Sequence, residues 1–233
     1  MPQREPLSAP LLGALAVLSG LVGGWIVVAI GSVAQGAVGA LAGFPSHGLE
    51  ILPSWLVGAD LALDGTHGAG AWTALLLSGP LTALALGFAV HALAESVGAP
   101  APIRFVAYEV FSIAWLQLPL LMLSGGLSRG GGPFAALYGR LGEPESGRWA
   151  MVVLGLLILW GVAGLVADQA LAVGGNWLRT DGHAFRRRVA LVLAAYPLVV
   201  AVLVGIFERA FEAPLWALGG AVLAGYAVWL RTP

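Results

Sequence analysis

The chain alternates long apolar runs with short polar links. The first run, Leu11 to Phe44, reads LLGALAVLSGLVGGWIVVAIGSVAQGAVGALAGF; no charge interrupts it, and Gln35 is its one strongly polar residue. A helix rises about 1.5 Å per residue, so a continuous one here is roughly 50 Å long, against a hydrocarbon core of about 30 Å. The run must therefore tilt, bend or leave the bilayer. Further runs of spanning length follow at Ala71–Ala94, Phe105–Leu123, Trp149–Val173 and Val189–Phe207, with a shorter one at Leu215–Leu230. In lipid the backbone must satisfy itself, and none of these runs alternates as a barrel strand would, so each is predicted to be a helix. The expected fold is an all-α integral membrane protein, a single transmembrane domain over residues 1–233 built as a polytopic bundle of about six helices.

Small residues inside the first run suggest how it packs. Gly20 and Gly24, Ser32 and Gly36, and Gly39 and Gly43 are each four apart and share a helix face. That spacing lets two backbones approach closely in lipid. The first helix is accordingly expected to be central, with close packing at Gly36.

The links differ in character. Pro45 to Gly70 contains no Arg but holds His47, Glu50, Asp60, Asp64 and His67 among apolar residues such as Ile51, Trp55 and Leu61. Prolines at 45 and 53 interrupt any long helix there. So apolar a link is expected to lie in the interface, at the depth that suits Trp55, or to dip into the protein. Glu95–Arg104 is short and proline-rich, which makes the second and third helices an antiparallel hairpin. Ser124–Arg148 is a glycine-rich loop with a short interfacial helix expected at Pro133–Leu141. With six crossings, Arg4, Arg104, Arg179, Arg186, Arg187, Arg188 and Arg231 fall on one side and Arg129, Arg140, Arg148 and Arg209 on the other. The excess places both termini in the cytoplasm.

Composition narrows the class. Hydrophobic residues make up 59% and charged residues 10%, where a soluble domain carries about 25% charged residues. There is no Cys, hence no disulfide and no thiolate site, and every basic residue is Arg. The Arg, Ala, Gly and Leu bias suggests a GC-rich bacterial genome and a bacterial cytoplasmic membrane. A net charge of −1 argues against nucleic acid as a partner; membrane lipids and other transmembrane proteins are the expected ones. The first run is too long for a signal peptide and lacks a clear cleavage site, so it is expected to remain.

Ionisable residues at membrane depth are the candidates for chemistry. His91 and Glu95 are four apart and share a face, as a proton relay or two metal ligands would; an interfacial pair at a helix end is the plainer reading. Glu109 lies inside the third helix, where pairing with Arg104 would account for it. Gln117 stands near Pro119, which frees a backbone carbonyl. Asp168 reads as a helix-end group. The acidic link has ligand types that metals take but no firm helical spacing, so a solvated link explains it, and no metal or cofactor is expected. The SRGGGP loop lacks the Lys-Ser/Thr of a phosphate loop.

Three stretches resemble the site-2 protease family of intramembrane zinc metalloproteases. The family's HExGH helix is matched by Val33-Ala34-Gln35-Gly36-Ala37, its AGPLxN segment by Leu77-Ser78-Gly79-Pro80-Leu81-Thr82, and its NxxPxxxxDG region by Gln117-Leu118-Pro119 with Ser128-Arg129-Gly130-Gly131-Gly132. The resemblance implies a protease-like core over 11–145, after a tail of residues 1–10, with additional helices over 146–233. At the zinc positions the ligands are gone: Val33 and Ala37 replace the two His, Ala34 the catalytic Glu, and Gly130 the Asp. A metalloprotease needs these ligands and a carboxylate to activate the metal-bound water. The implied function is non-catalytic, namely binding or scaffolding other transmembrane segments. The competing readings are a small transporter or channel using intramembrane ionisable residues, and a metalloenzyme whose ligands have moved to His91, Glu95, Glu109 or the acidic link.

Overall fold

A computed structural model describes residues 8–51, 57–61, 67–127, 138, 144–178, 182–208 and 212–229. Gly130, Asp64, Trp55 and, apart from Tyr138, the expected interfacial helix Pro133–Leu141 lie outside the described residues. Six α-helices appear among the described residues: α1 (Ala9–Leu41), α2 (Ala69–Ser96), α3 (Ala101–Leu127), α4 (Pro144–Leu178), α5 (Gly182–Leu203) and α6 (Glu212–Trp229). The first five are long and apolar enough to cross a membrane, and α6 is a shorter apolar helix. The chain is an integral, multi-pass membrane protein. α2, α3 and α4 run past both ends of the apolar runs that announced them, because backbone hydrogen bonding continues into polar flanks where a hydropathy pattern stops, whereas α1 ends at Leu41, short of Phe44.

α3, not α1, is the centre of the bundle. Of its spanning residues 72% are buried, against 39% for α1. Glycines on its neighbours make the close approach possible. A Cβ at Gly23 of α1 would lie 3.0 Å from Val110 N, one at Gly87 of α2 3.1 Å from Ala114 Cβ, and one at Gly155 of α4 3.1 Å from the Pro119 carbonyl. With no water to squeeze out between helices in lipid, such contact is what holds them together. α1 still packs on both α2 and α3, and also along α5, where Gly20 and Gly24 lie against the Tyr196 ring. The largest core cluster joins Leu12, Phe105, Tyr108, Leu159, Val166 and Val192.

Two of the small-residue positions act otherwise than expected. A Cβ on Gly36 would meet nothing within 4 Å, so no helix packs there. Its partner Ser32 is buried. Gly43 is not a packing residue but a helix stop: its φ is +85°, and Phe44 N–H reaches back to the Gly39 carbonyl at 2.9 Å. That left-handed residue with a six-to-one bond is a Schellman end, followed here by Pro45. α2 ends the same way, with Gly98 at φ +60° and Ala99 N–H on the Ala94 carbonyl at 3.0 Å.

The described part of the link after α1 has regular structure. It contains an antiparallel hairpin, β1 (Ser46–Ile51) and β2 (Val57–Leu61), paired from Ser46↔Leu61 to Ile51↔Val57 with an irregularity between Ser46 and Gly48. Both strands pack against α1. The anchor is Leu61, whose Cδ2 would lie 2.9 Å from a Cβ at Gly39, so glycine makes room for it. Beneath it, Phe44 stacks on His67 at 3.9 Å and meets Trp72 edge-on at 5.5 Å.

Candidate functional site

The hairpin presents an open strand. Successive side chains of a strand point to opposite faces. Leu49 and Ile51 are 53% and 74% exposed, and Gly48 and Glu50 between and beside them are exposed as well. Gly48–Ile51 is thus exposed on both faces, and the sheet has only two strands among the described residues. One edge of β1 pairs with β2; among the described residues no strand pairs with the other, where Gly48 already has a contact of its own. The side chains of His47, Asp60 and Asp64 lie outside the described residues.

Below the hairpin, α1 and α2 meet through Gly31, Gln35 and Gly79. A Cβ at Gly31 would be 3.6 Å from the Gly79 carbonyl oxygen, and one at Gly79 would be 3.0 Å from the Gln35 side chain. Gly79 and Pro80 are buried. The residues matched to the zinc-binding motif point elsewhere: Val33 is 54% exposed, Ala37 is exposed and Ala34 half-buried. The groups facing Gly79 offer an amide and backbone, with no imidazole and no carboxylate. This donor set does not fit zinc. No group of three His, Cys, Asp or Glu gathers anywhere among the described residues.

The remaining polar candidates divide between two places. His91 is 7% exposed. Its Nε2 lies 2.7 Å from Gln169 Oε1 on α4 and 3.7 Å from Glu95 Oε1, while its ring packs on Phe111 with centroids 5.0 Å apart. With an amide oxygen as acceptor, Nε2 carries the hydrogen. The pair expected at the helix end is therefore present, and Gln169 turns it into a bond between α2 and α4.

Glu109 does not join it. It is 2% exposed and faces Gly23 of α1, where a Cβ would come within 3.1 Å of its own Cβ. The expected partner, Arg104, sends Nη2 to the Ala172 carbonyl at 3.5 Å instead. Gln117 Oε1 is buried without a hydrogen-bond partner. His91 and Glu109 thus serve different helix contacts and form no common ligand set. Gly23, Gln169 and Tyr196 were not among the residues the sequence singled out; Gln169 and Tyr196 had a signal in being polar within otherwise apolar runs. Compared with known proteins, the chain matches no family model, no curated protein and no solved structure.

Proposed function

We propose that this is a non-catalytic membrane protein that binds an extended segment of another membrane protein along the free edge of β1. The observation that carries the reading is the exposure of Gly48–Ile51 on both faces, with Leu49 and Ile51 uncovered. An open apolar strand edge is a template for an added strand: backbone bonds supply affinity and alternate side chains supply selectivity. In lipid an unpaired edge is costly, which favours a partner at that position. α1 holds the hairpin through Gly39 and Leu61, so the edge sits on a rigid helix.

The likeness to site-2 proteases rests on stretches of α1 and α2 whose zinc positions, Val33 and Ala37, carry no ligand; the α1 residues that meet Gly79 are Gly31 and Gln35. A scaffold of this kind in a bacterial cytoplasmic membrane, with both termini inside, would present a segment without cutting it.

The test is site-specific photo-crosslinking in native membranes. A photoreactive residue replacing Leu49 or Ile51 should give one protein adduct, joined at alternate residues of a short stretch of the partner. The same probe at Trp160, an exposed residue of α4, should give lipid adducts only. Lipid adducts alone at both strand positions would defeat the proposal.

A further inference from the structure

Glu109 occupies the ninth position of α3, about two turns in, and faces the middle of α1. Three helices close around it. α1 turns glycines toward it: Gly23 admits the α3 backbone and the Glu109 Cβ, and Gly24, its neighbour, receives the Tyr196 hydroxyl. α5 supplies Tyr196, whose hydroxyl lies against Gly24, one residue along α1 from the glycine that meets the Glu109 Cβ. On α3 itself the Ser112 hydroxyl lies 3.1 Å from the Glu109 carbonyl and 3.4 Å from Oε2. Oε1 is buried with no hydrogen-bond partner, and so is the hydroxyl of adjacent Tyr108.

No cation among the described residues is paired with this carboxyl. Arg104 is bonded to Ala172, and His91 of α2 faces Gln169, Glu95 and Phe111. On α4, Asp168 is engaged in a contact of its own, and Glu145 pairs with Arg148 at the opposite end. α6 turns Tyr226 toward Trp160 and Gly164. α1 contributes no titratable group, only Gly20, Gly23 and Gly24.

A bare carboxylate in such surroundings is costly, and so is an unsatisfied polar atom. A metal cation would need several oxygens, and membrane sodium sites take them from unwound helix carbonyls. α1 and α3 are continuous helices at this depth, so their carbonyls are committed. What remains is a carboxylate and one hydroxyl in contact with it. That set suits a proton.

We propose that the junction of α1, α3 and α5 is a reversible proton-binding site, with Glu109 as the group that takes and releases the proton. The O–H bond forms on a carboxylate oxygen; the proton comes from water and returns to it, and no electron moves. Ser112 and Tyr196 are the polar groups beside it. When Glu109 is charged its buried Oε1 has no donor among the described residues, so releasing the proton loosens the packing of α3 on α1 around it.

The test is infrared difference spectroscopy of the full chain in lipid nanodiscs, titrated from about pH 5 to about pH 10. The expected result is a carboxylic-acid carbonyl band that is lost on the alkaline side and returns on acidification. It should shift on glutamate-specific carbon-13 labelling, be lost in Glu109→Gln, and change position in Ser112→Ala. The labelling and the Ser112→Ala shift keep the test decisive if Glu109→Gln fails to fold. Exchanging choline for sodium at constant ionic strength should leave the titration unmoved. A band that never titrates, one that survives Glu109→Gln, one indifferent to Ser112→Ala, or one displaced by sodium would overturn the proposal.

Discussion

Gly20→Ala and Gly36→Ala are the same chemical change in the same helix, and the structure assigns them opposite effects. At Gly20 the new Cβ would sit 2.5 Å from Tyr196 Cδ2 and 2.7 Å from Tyr196 Cβ. Carbon atoms in good contact are about 3.5 Å apart or more. The α1–α5 seam would have to open by about 1 Å, and the Tyr196 Cβ, fixed to its backbone, cannot swing away. Overpacking of this kind costs about 1–3 kcal/mol. At Gly36 nothing lies within 4 Å, so only the helix-propensity gain remains, about 0.5–1 kcal/mol in favour of Ala. Both variants share that gain, and their difference isolates the packing cost. Reversible unfolding in mixed micelles would measure it. Adding to each Tyr196→Gly, which removes the Cβ as well as the ring, should reveal coupling of about 0.5–3 kcal/mol with Gly20→Ala and none with Gly36→Ala. Equal stabilities for the two alanine variants would refute the reasoning.

Gly43→Ala places a side chain at φ +85° and should cost about 1–2 kcal/mol, seen as faster amide exchange in the hairpin while the core of α3 is unchanged. Gln169→Leu leaves the buried His91 without its 2.7 Å partner and should lower unfolding free energy by about 1–3 kcal/mol; His91→Phe combined with Gln169→Leu should recover part of it. Tyr138 O–H donates to the Gly125 carbonyl at 2.5 Å and Arg148 Nε to that of Gly126 at 3.1 Å, which satisfies two carbonyls at the end of α3. Tyr138→Phe should therefore increase fraying there by about 0.5–1.5 kcal/mol, read as amide exchange over the last turn of α3.

The helices were legible because lipid leaves the backbone no other choice, and charge-free runs such as Leu11–Phe44 can only be helices. Centrality was misjudged for a physical reason. In water the most apolar helix goes inside, but in a bilayer the most apolar helices can face lipid. α3 is less apolar than α1, α4 or α5 and carries Glu109, Ser112 and Gln117, yet is the most buried. Its polar residues were the sign of an interior position. The glycine spacing told which residues share a face but not which face meets a neighbour: Gly20 and Gly24 meet Tyr196, while Gly36 meets nothing. The hairpin was illegible because Ser46–Ile51 and Val57–Leu61 lack clean alternation and contain glycines. They are strands by virtue of pairing with each other and docking on α1, which no local pattern reports. The carboxyl at Glu109 could be picked out as an intramembrane charge, but its freedom from Arg104 depends on the turn of α3 and the reach of α4.

The functional reading depends on β2 being fixed to the end of α1, so that β1 stands out as the free edge. The chain contains no Cys, which gives a clean background for one cysteine pair, Gly39→Cys with Leu61→Cys, in native membranes. The account predicts rapid, near-complete disulfide formation under mild oxidation, while Gly36→Cys with Leu61→Cys stays reduced. Both pairs reacting at the same slow rate, with the cysteine at 61 freely alkylated, would contradict it.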